Sequence, residues 1–114
     1  MARPDFSIEQ ELLEYLGEDD FFKLVENFAG TRLFVASLKT NKPANIERKV
    51  NRKSAEILNR YYGGSYISVP MARSFRAARY RKQGLSNSRI AVKLGMTESG
   101  VEHIFRRLKQ NSGG

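Results

Sequence analysis

The chain has no cysteine and no tryptophan, and only three prolines and one histidine in 114 residues. Without cysteine there are no disulfides and no thiolate chemistry, which agrees with a reducing compartment. A lone His103 with no cysteine beside it cannot supply the three or four ligands of a zinc site. No apolar run approaches the length that spans a bilayer, and no segment has the strongly apolar face of a membrane-surface helix. The first residues carry Asp5, Glu9 and Glu11 and do not resemble a signal peptide. Paired catalytic carboxylates, a phosphate-cradling glycine loop and a nucleophile–base arrangement are also missing. The expectation is therefore a protein that is not an enzyme, with no metal, no cofactor and no small-molecule ligand.

What the chain has in excess is positive charge, concentrated in one stretch. Residues 71–110 hold ten basic side chains against Glu98 and Glu102, a net +8 that equals the charge of the whole chain. Residues 1–70 balance at ten and ten. A basic excess confined to one segment is the electrostatic footprint expected for a phosphate-backbone partner.

That segment contains the run Asn87 to Arg106, NSRIAVKLGMTESGVEHIFR. Its spacing predicts a helix-turn-helix. Ala91 is small where a second helix must cross, Gly95 suits a left-handed turn residue, and Val101 is placed to pack back on the first helix. Ser86 and Thr97 are good N-caps, and Glu98 suits the positive end of the second helix. The other reading of the same pattern is a helical hairpin that binds nothing.

In the second helix Val101, Ile104, Phe105 and Leu108 recur at i, i+3, i+4 and i+7, the period of a buried stripe. The opposite side carries Ser99, Glu102, His103 and Arg106, the candidates for reading base edges. Arginine grips guanine through two bonds, and glutamate accepts from cytosine or holds Arg106 one turn away. Candidate phosphate contacts are Arg73, Arg76, Arg79 and Lys82 on the preceding basic helix, with Ser86, Arg89, Thr97 and Arg107 around the turn. On the basic helix, Phe75, Ala78 and Leu85 are left for the core. A solvated basic face is the alternative for these cations.

The rest of the chain reads as helix, turn, helix, strand, then helix and strand again. Ser7 and Gln10 form a capping-box pair ahead of a helix that ends at Gly17. A second helix covers Glu18 to Asn27, and TRLFVA follows as a strand. KTNKP reads as a loop. One basic helix is expected from about Asn45 to Tyr62, with Ile46, Val50, Ile57 and Leu58 buried, then the strand SYISVP and a helix from Met71 to Gln83. A shift of 34 residues lays Leu12 on Ile46, Leu24 on Leu58, Gly30 on Gly64, Leu33 on Ile67 and Val35 on Val69. FAGTRLFVA and YGGSYISVP therefore read as two copies of one helix–Gly–strand unit. A short strand needs a partner, either the other strand or its twin in a second subunit. Tyr66 points outward if Ile67 and Val69 point inward, free to touch a minor groove or to cover a dimer strand.

LLEYLGEDDFFKLVENFAGTRLFV, the Gly63-Gly64 pair with SYISVP, and SFRAARYRKQGLSNSRIAVKLGMTESGVEHIFRRL together resemble the Mor transcription activator family of Mu-like phages. The resemblance covers most of the chain. It implies a mainly α fold: an N-terminal helical dimerisation region with short β-strands over residues 1–64, a strand linker over 65–70, and a three-helix helix-turn-helix over 71–110. Residues 111–114 are expected to be a disordered tail. It also implies a homodimer on double-stranded promoter DNA that contacts bacterial RNA polymerase, in a bacterial or phage setting at the cytoplasmic nucleoid. Family members carry bulkier polar or basic residues where this chain has Ser99 and Gly100. Competing functions are a nucleic-acid module without sequence preference and a protein-interaction adaptor.

Overall fold

Gly17 has a positive φ of 85°, and the three acids that follow it, Glu18, Asp19 and Asp20, meet the positive end of the next helix. The computed structural model describes residues 4–37 and 45–112. Their order is α1 (Pro4–Leu16), α2 (Glu18–Phe28), β1 (Arg32–Val35), α3 (Asn45–Lys49), α4 (Arg52–Tyr62), β2 (Ser65–Ser68), α5 (Arg73–Lys82), α6 (Asn87–Leu94) and α7 (Glu98–Ser112). The protein is mainly helical with a small two-stranded antiparallel sheet. Among the described residues no helix is long and apolar enough to cross a membrane. The chain divides into two compact units, the first ending at Met71 and the second beginning at Ala72.

In the first unit, α1, α2, α3 and α4 bury Leu12, Phe21, Leu24, Val25, Ile46 and Leu58, each 0–1% exposed. Burying a side chain of this size stabilises by about 1.5–3 kcal/mol. The strands alternate as the pleat demands, with Leu33, Val35, Ile67 and Val69 inward and Phe34 and Tyr66 outward. Arg32 pairs with Ser68, Leu33 with Ile67, Phe34 with Tyr66 and Val35 with Ser65. The two strands thus find each other within one chain, which decides between the two pairings that the sequence left open.

The repeat extends to individual bonds. Gly30 has φ 79° and Gly64 φ 85°. The Gly30 N–H donates to the Val69 carbonyl at 2.9 Å, and the Gly64 N–H to the Val35 carbonyl at 2.8 Å. The Thr31 hydroxyl donates to the Phe28 carbonyl at 2.7 Å, and the Ser65 hydroxyl to the Tyr62 carbonyl at 2.8 Å. Each pair of bonds differs by 34 residues, so the two helix–Gly–strand copies are arranged about a local two-fold axis at the Leu33–Ile67 pair.

The structure corrects three expectations. The helix expected over 45–62 is broken: Asn51 is extended at φ −175°, its side chain accepts from the Ser54 N–H at 2.8 Å and donates to Asp20 at 3.0 Å. A side chain that caps a new helix and ties it to α2 competes successfully with helix continuation. The capping box at Ser7 is not a helix start, because α1 begins at Pro4, where the missing proline N–H costs nothing. Asn111 and Ser112 belong to α7 rather than to a tail. The KTNKP loop lies outside the described residues, as do Gly113 and Gly114.

Aromatic contacts finish the first unit. The Tyr15 and Tyr61 rings stack at 4.0 Å with 4° between their planes, and the Tyr62 hydroxyl donates to the Glu11 carboxylate. Burial, then the Glu11 hydrogen bond and charge, push the Tyr62 phenol above its ordinary value of 10.0.

Candidate nucleic-acid interface

The second unit is built on a turn. Gly95 takes φ 68°, ψ 39°, the left-handed conformation that a Cβ disfavours. The Met96 N–H reaches back to the Ala91 carbonyl at 3.0 Å and the Gly95 N–H to Val92 at 3.3 Å, closing α6. Three residues, Gly95 to Thr97, separate α6 from α7. The Thr97 hydroxyl caps α7 by accepting from the Gly100 N–H at 3.0 Å. The Ser86 hydroxyl caps α6 by accepting from Arg89 at 3.2 Å. Ile90, Ala91, Leu94, Val101 and Ile104 are buried where the two helices meet. A Cβ at Gly100 would lie 2.6 Å from the Met96 terminal methyl, the movable end of a flexible side chain, and 3.3 Å from the Thr97 hydroxyl.

α7 divides along its length. Val101 and Ile104 are buried and Phe105 and Leu108 half-buried, while Ser99, Glu102, His103, Arg106 and Arg107 are exposed. A shallow groove of about 370 Å³ brings Arg73 and Ser74 of α5 beside Gly100, His103 and Arg107 of α7. Two guanidinium groups 34 positions apart in sequence thus share one surface with an imidazole and a hydroxyl. This is a donor-rich, acid-free lining suited to a phosphate.

The other basic residues do not all share that surface. Arg76 is 7% exposed and turns its guanidinium inward to the Lys93 carbonyl at 3.4 Å. This corrects its assignment to phosphate contact: a cation at the C-terminal end of α6 meets that helix's negative pole. On α5 the buried apolar residues are Ala77 and Tyr80, whereas Phe75 and Ala78, and Leu85 beyond the end of the helix, are half-buried. Arg79 is half-buried, and Lys82 and Arg89 are exposed. Arg81, which the sequence did not single out, donates to the Asn87 side chain and lies over the Phe105 ring at 4.6 Å. It joins α5, α6 and α7. Lys93 lies 5.7 Å from the Tyr80 ring centroid.

Tyr66 belongs to the first unit, where it is 58% exposed on the outer face of the sheet. The Arg32 guanidinium lies 4.3 Å from its ring centroid, and Phe34 meets it edge-on at 5.2 Å. Arg32 and Phe34 were missed in the sequence, although strand alternation puts both on the side of Tyr66 once the register is known. Among the described residues no group of three His, Cys, Asp or Glu side chains is arranged to hold a metal. No family model, no curated protein and no solved structure matches the chain.

Proposed function

We propose that the protein is a sequence-specific DNA-binding transcription regulator, with α6, the turn and α7 working as a helix-turn-helix. The observation that carries this reading is the two-helix geometry around Ala91, Gly95 and Val101, set within the stretch that holds the whole +8 excess. In this reading α7 enters the major groove with its N-terminal half. Ser99, Glu102, His103 and Arg106 meet base edges, and Arg73, Lys82, Arg89 and Arg107 grip the flanking phosphates. Ser86 and Thr97 accept a backbone N–H as caps, which leaves each hydroxyl proton to donate to a phosphate oxygen. Tyr66 with Arg32 is a separate aromatic and cationic surface that suits a sugar–phosphate edge.

The resemblance to Mor activators favours promoter DNA in a bacterial or phage setting and a contact with RNA polymerase. The strands no longer require a homodimer, because each has its partner in the same chain. Titration of the intact chain against a selected duplex and its scrambled counterpart tests the function. Tighter binding to the selected duplex supports a sequence reader, equal binding means a module without sequence preference, and no binding leaves an adaptor for an acidic protein.

A further inference from the structure

In a two-fold dimer, residue i of one subunit contacts residue j of the other, and j contacts i in return. The first unit has that reciprocity inside one chain. Gly30 bonds to Val69 and Gly64 to Val35, with both partners displaced by 34 residues, and Leu33 faces its own equivalent, Ile67. The same relation holds for the caps, since Gly17 before α2 corresponds to Asn51 before α4.

The two copies are not continued alike. After β2 the chain runs into α5, α6 and α7. After β1 only nine residues, 36–44, separate it from α3. A three-helix unit like that of residues 73–112 cannot fit in that length. There is therefore one reading helix for two copies of the pairing unit. The surface that two subunits would use is also occupied: Leu33, Val35, Ile67 and Val69 are each 7% exposed or less. Among the described residues, the large exposed apolar side chains of this unit are Phe34, Tyr61 and Tyr66. Phe34 packs on Tyr66 and Tyr61 on Tyr15, so each is already covered on one side. A stable dimer buries about 800 Å² per partner, more apolar in permanent pairs, and three half-covered rings supply little of that.

We propose that the first unit is a fused two-fold pair, a single-chain counterpart of an isologous dimer, and that the protein engages DNA as one chain at a single, non-palindromic site. The second half of this statement rests on the DNA-reading function proposed above; the first half does not. A dimeric helix-turn-helix protein reads two half-sites about 34–36 Å apart. One chain with one reading helix recognises one stretch of major groove, and its target has a direction along the duplex.

Three measurements test this together. Phe34 and Tyr66 face each other in register, and the Val69 N–H to Thr31 carbonyl bond at 2.9 Å makes theirs, by alternation along the ladder, a non-hydrogen-bonded pair. Such a pair has a Cα separation near 4.5 Å, within the range a disulfide accepts. The chain has no other cysteine. Oxidised Phe34→Cys/Tyr66→Cys protein is expected to run as a cross-linked single chain on non-reducing gels. A covalent dimer would overturn the fused pair. Sedimentation equilibrium of the unaltered chain is expected to give the 13.0 kDa of one chain. Twice that mass would overturn the proposal even if the double variant failed to fold. Selection from a random duplex pool is expected to return one contiguous element without an inverted repeat, bound by one chain per duplex. An inverted repeat bound by two chains would overturn single-chain reading. Retention of no duplex at low salt would instead overturn the DNA-reading function, with the cross-link and the mass still deciding the fused pair.

Discussion

Leu33 and Ile67 are directly opposed across the two strands and occupy equivalent positions in the two halves of the repeat. Both are buried, at 7% and 5% exposure. A pair on a local two-fold axis is the one place where a repeat meets itself. The bonds around it, from Gly30 to Val69 and from Gly64 to Val35, follow from that axis.

The two repeat glycines have the same backbone but different surroundings. Gly64 has φ 85° and open space where a Cβ would go, whereas a Cβ on Gly30 would stand 2.7 Å from the Met71 sulfur. Gly64→Ala is expected to cost about 1–2 kcal/mol from the positive φ alone. Gly30→Ala should cost more in chemical denaturation. That excess should vanish when Met71→Ala is the background, and an unchanged excess would mean the side chain is not its source.

Asn51 does two jobs, capping α4 and donating to Asp20. Asn51→Ala is expected to lose about 1–2 kcal/mol of stability. Aspartate caps helices as well as asparagine does, but Asn51→Asp sets a second carboxylate against Asp20. It should therefore be little better than alanine at pH 7, and should recover if Asp20→Asn is added. Thermal or urea unfolding of the three variants measures this.

Tyr62 gives stability a pH dependence at the alkaline end. Its phenol is held above its ordinary value of 10.0, so the folded state keeps a proton that the unfolded chain releases sooner. The contribution is fully present below pH 10 and falls as pH rises from there towards the folded-state value. Tyr62→Phe is expected to flatten that limb of the stability profile relative to the unaltered protein. Identical slopes above pH 10 would remove Tyr62 as the cause.

The arginines of the second unit separate by role. Arg106→Ala is expected to weaken duplex binding by about 1–3 kcal/mol and to relax preference at one base position. Arg107→Ala should weaken binding across all sequences and reduce the salt slope by about 0.9. Arg76→Ala should instead lower the unfolding free energy by about 1–3 kcal/mol, because its guanidinium serves the α6 carbonyl end. Its salt slope should be unchanged. A loss of binding without a loss of stability would return Arg76 to the phosphate contacts.

Much of this was readable from residue spacing. The αL turn at Gly95, the caps at Ser86 and Thr97 and the Val101–Ile104 stripe follow from local chemistry, which sequence carries directly. The break at Asn51 was not read, because Arg52 to Tyr62 continues the helical period of Asn45 to Lys49. The 34-residue shift contained the signal, since it lays Asn51 on Gly17. Arg76 was misjudged because helical spacing says which cations share a side, and only packing says that this side meets the end of α6. The pairing of the strands was beyond composition and period: an antiparallel partner in the same chain and one in a twin satisfy the same hydrogen bonds.

Sequence reading is tested by the equilibrium affinity of the intact chain for a selected duplex and its scrambled counterpart between about 50 and 200 mM salt. With roughly five phosphates neutralised, log K against log salt should fall with a slope of about −4 to −5. The selected duplex should bind at least roughly 10³-fold tighter than the scrambled one. A flat salt response, or equal affinity for the two duplexes, would contradict a sequence-reading protein.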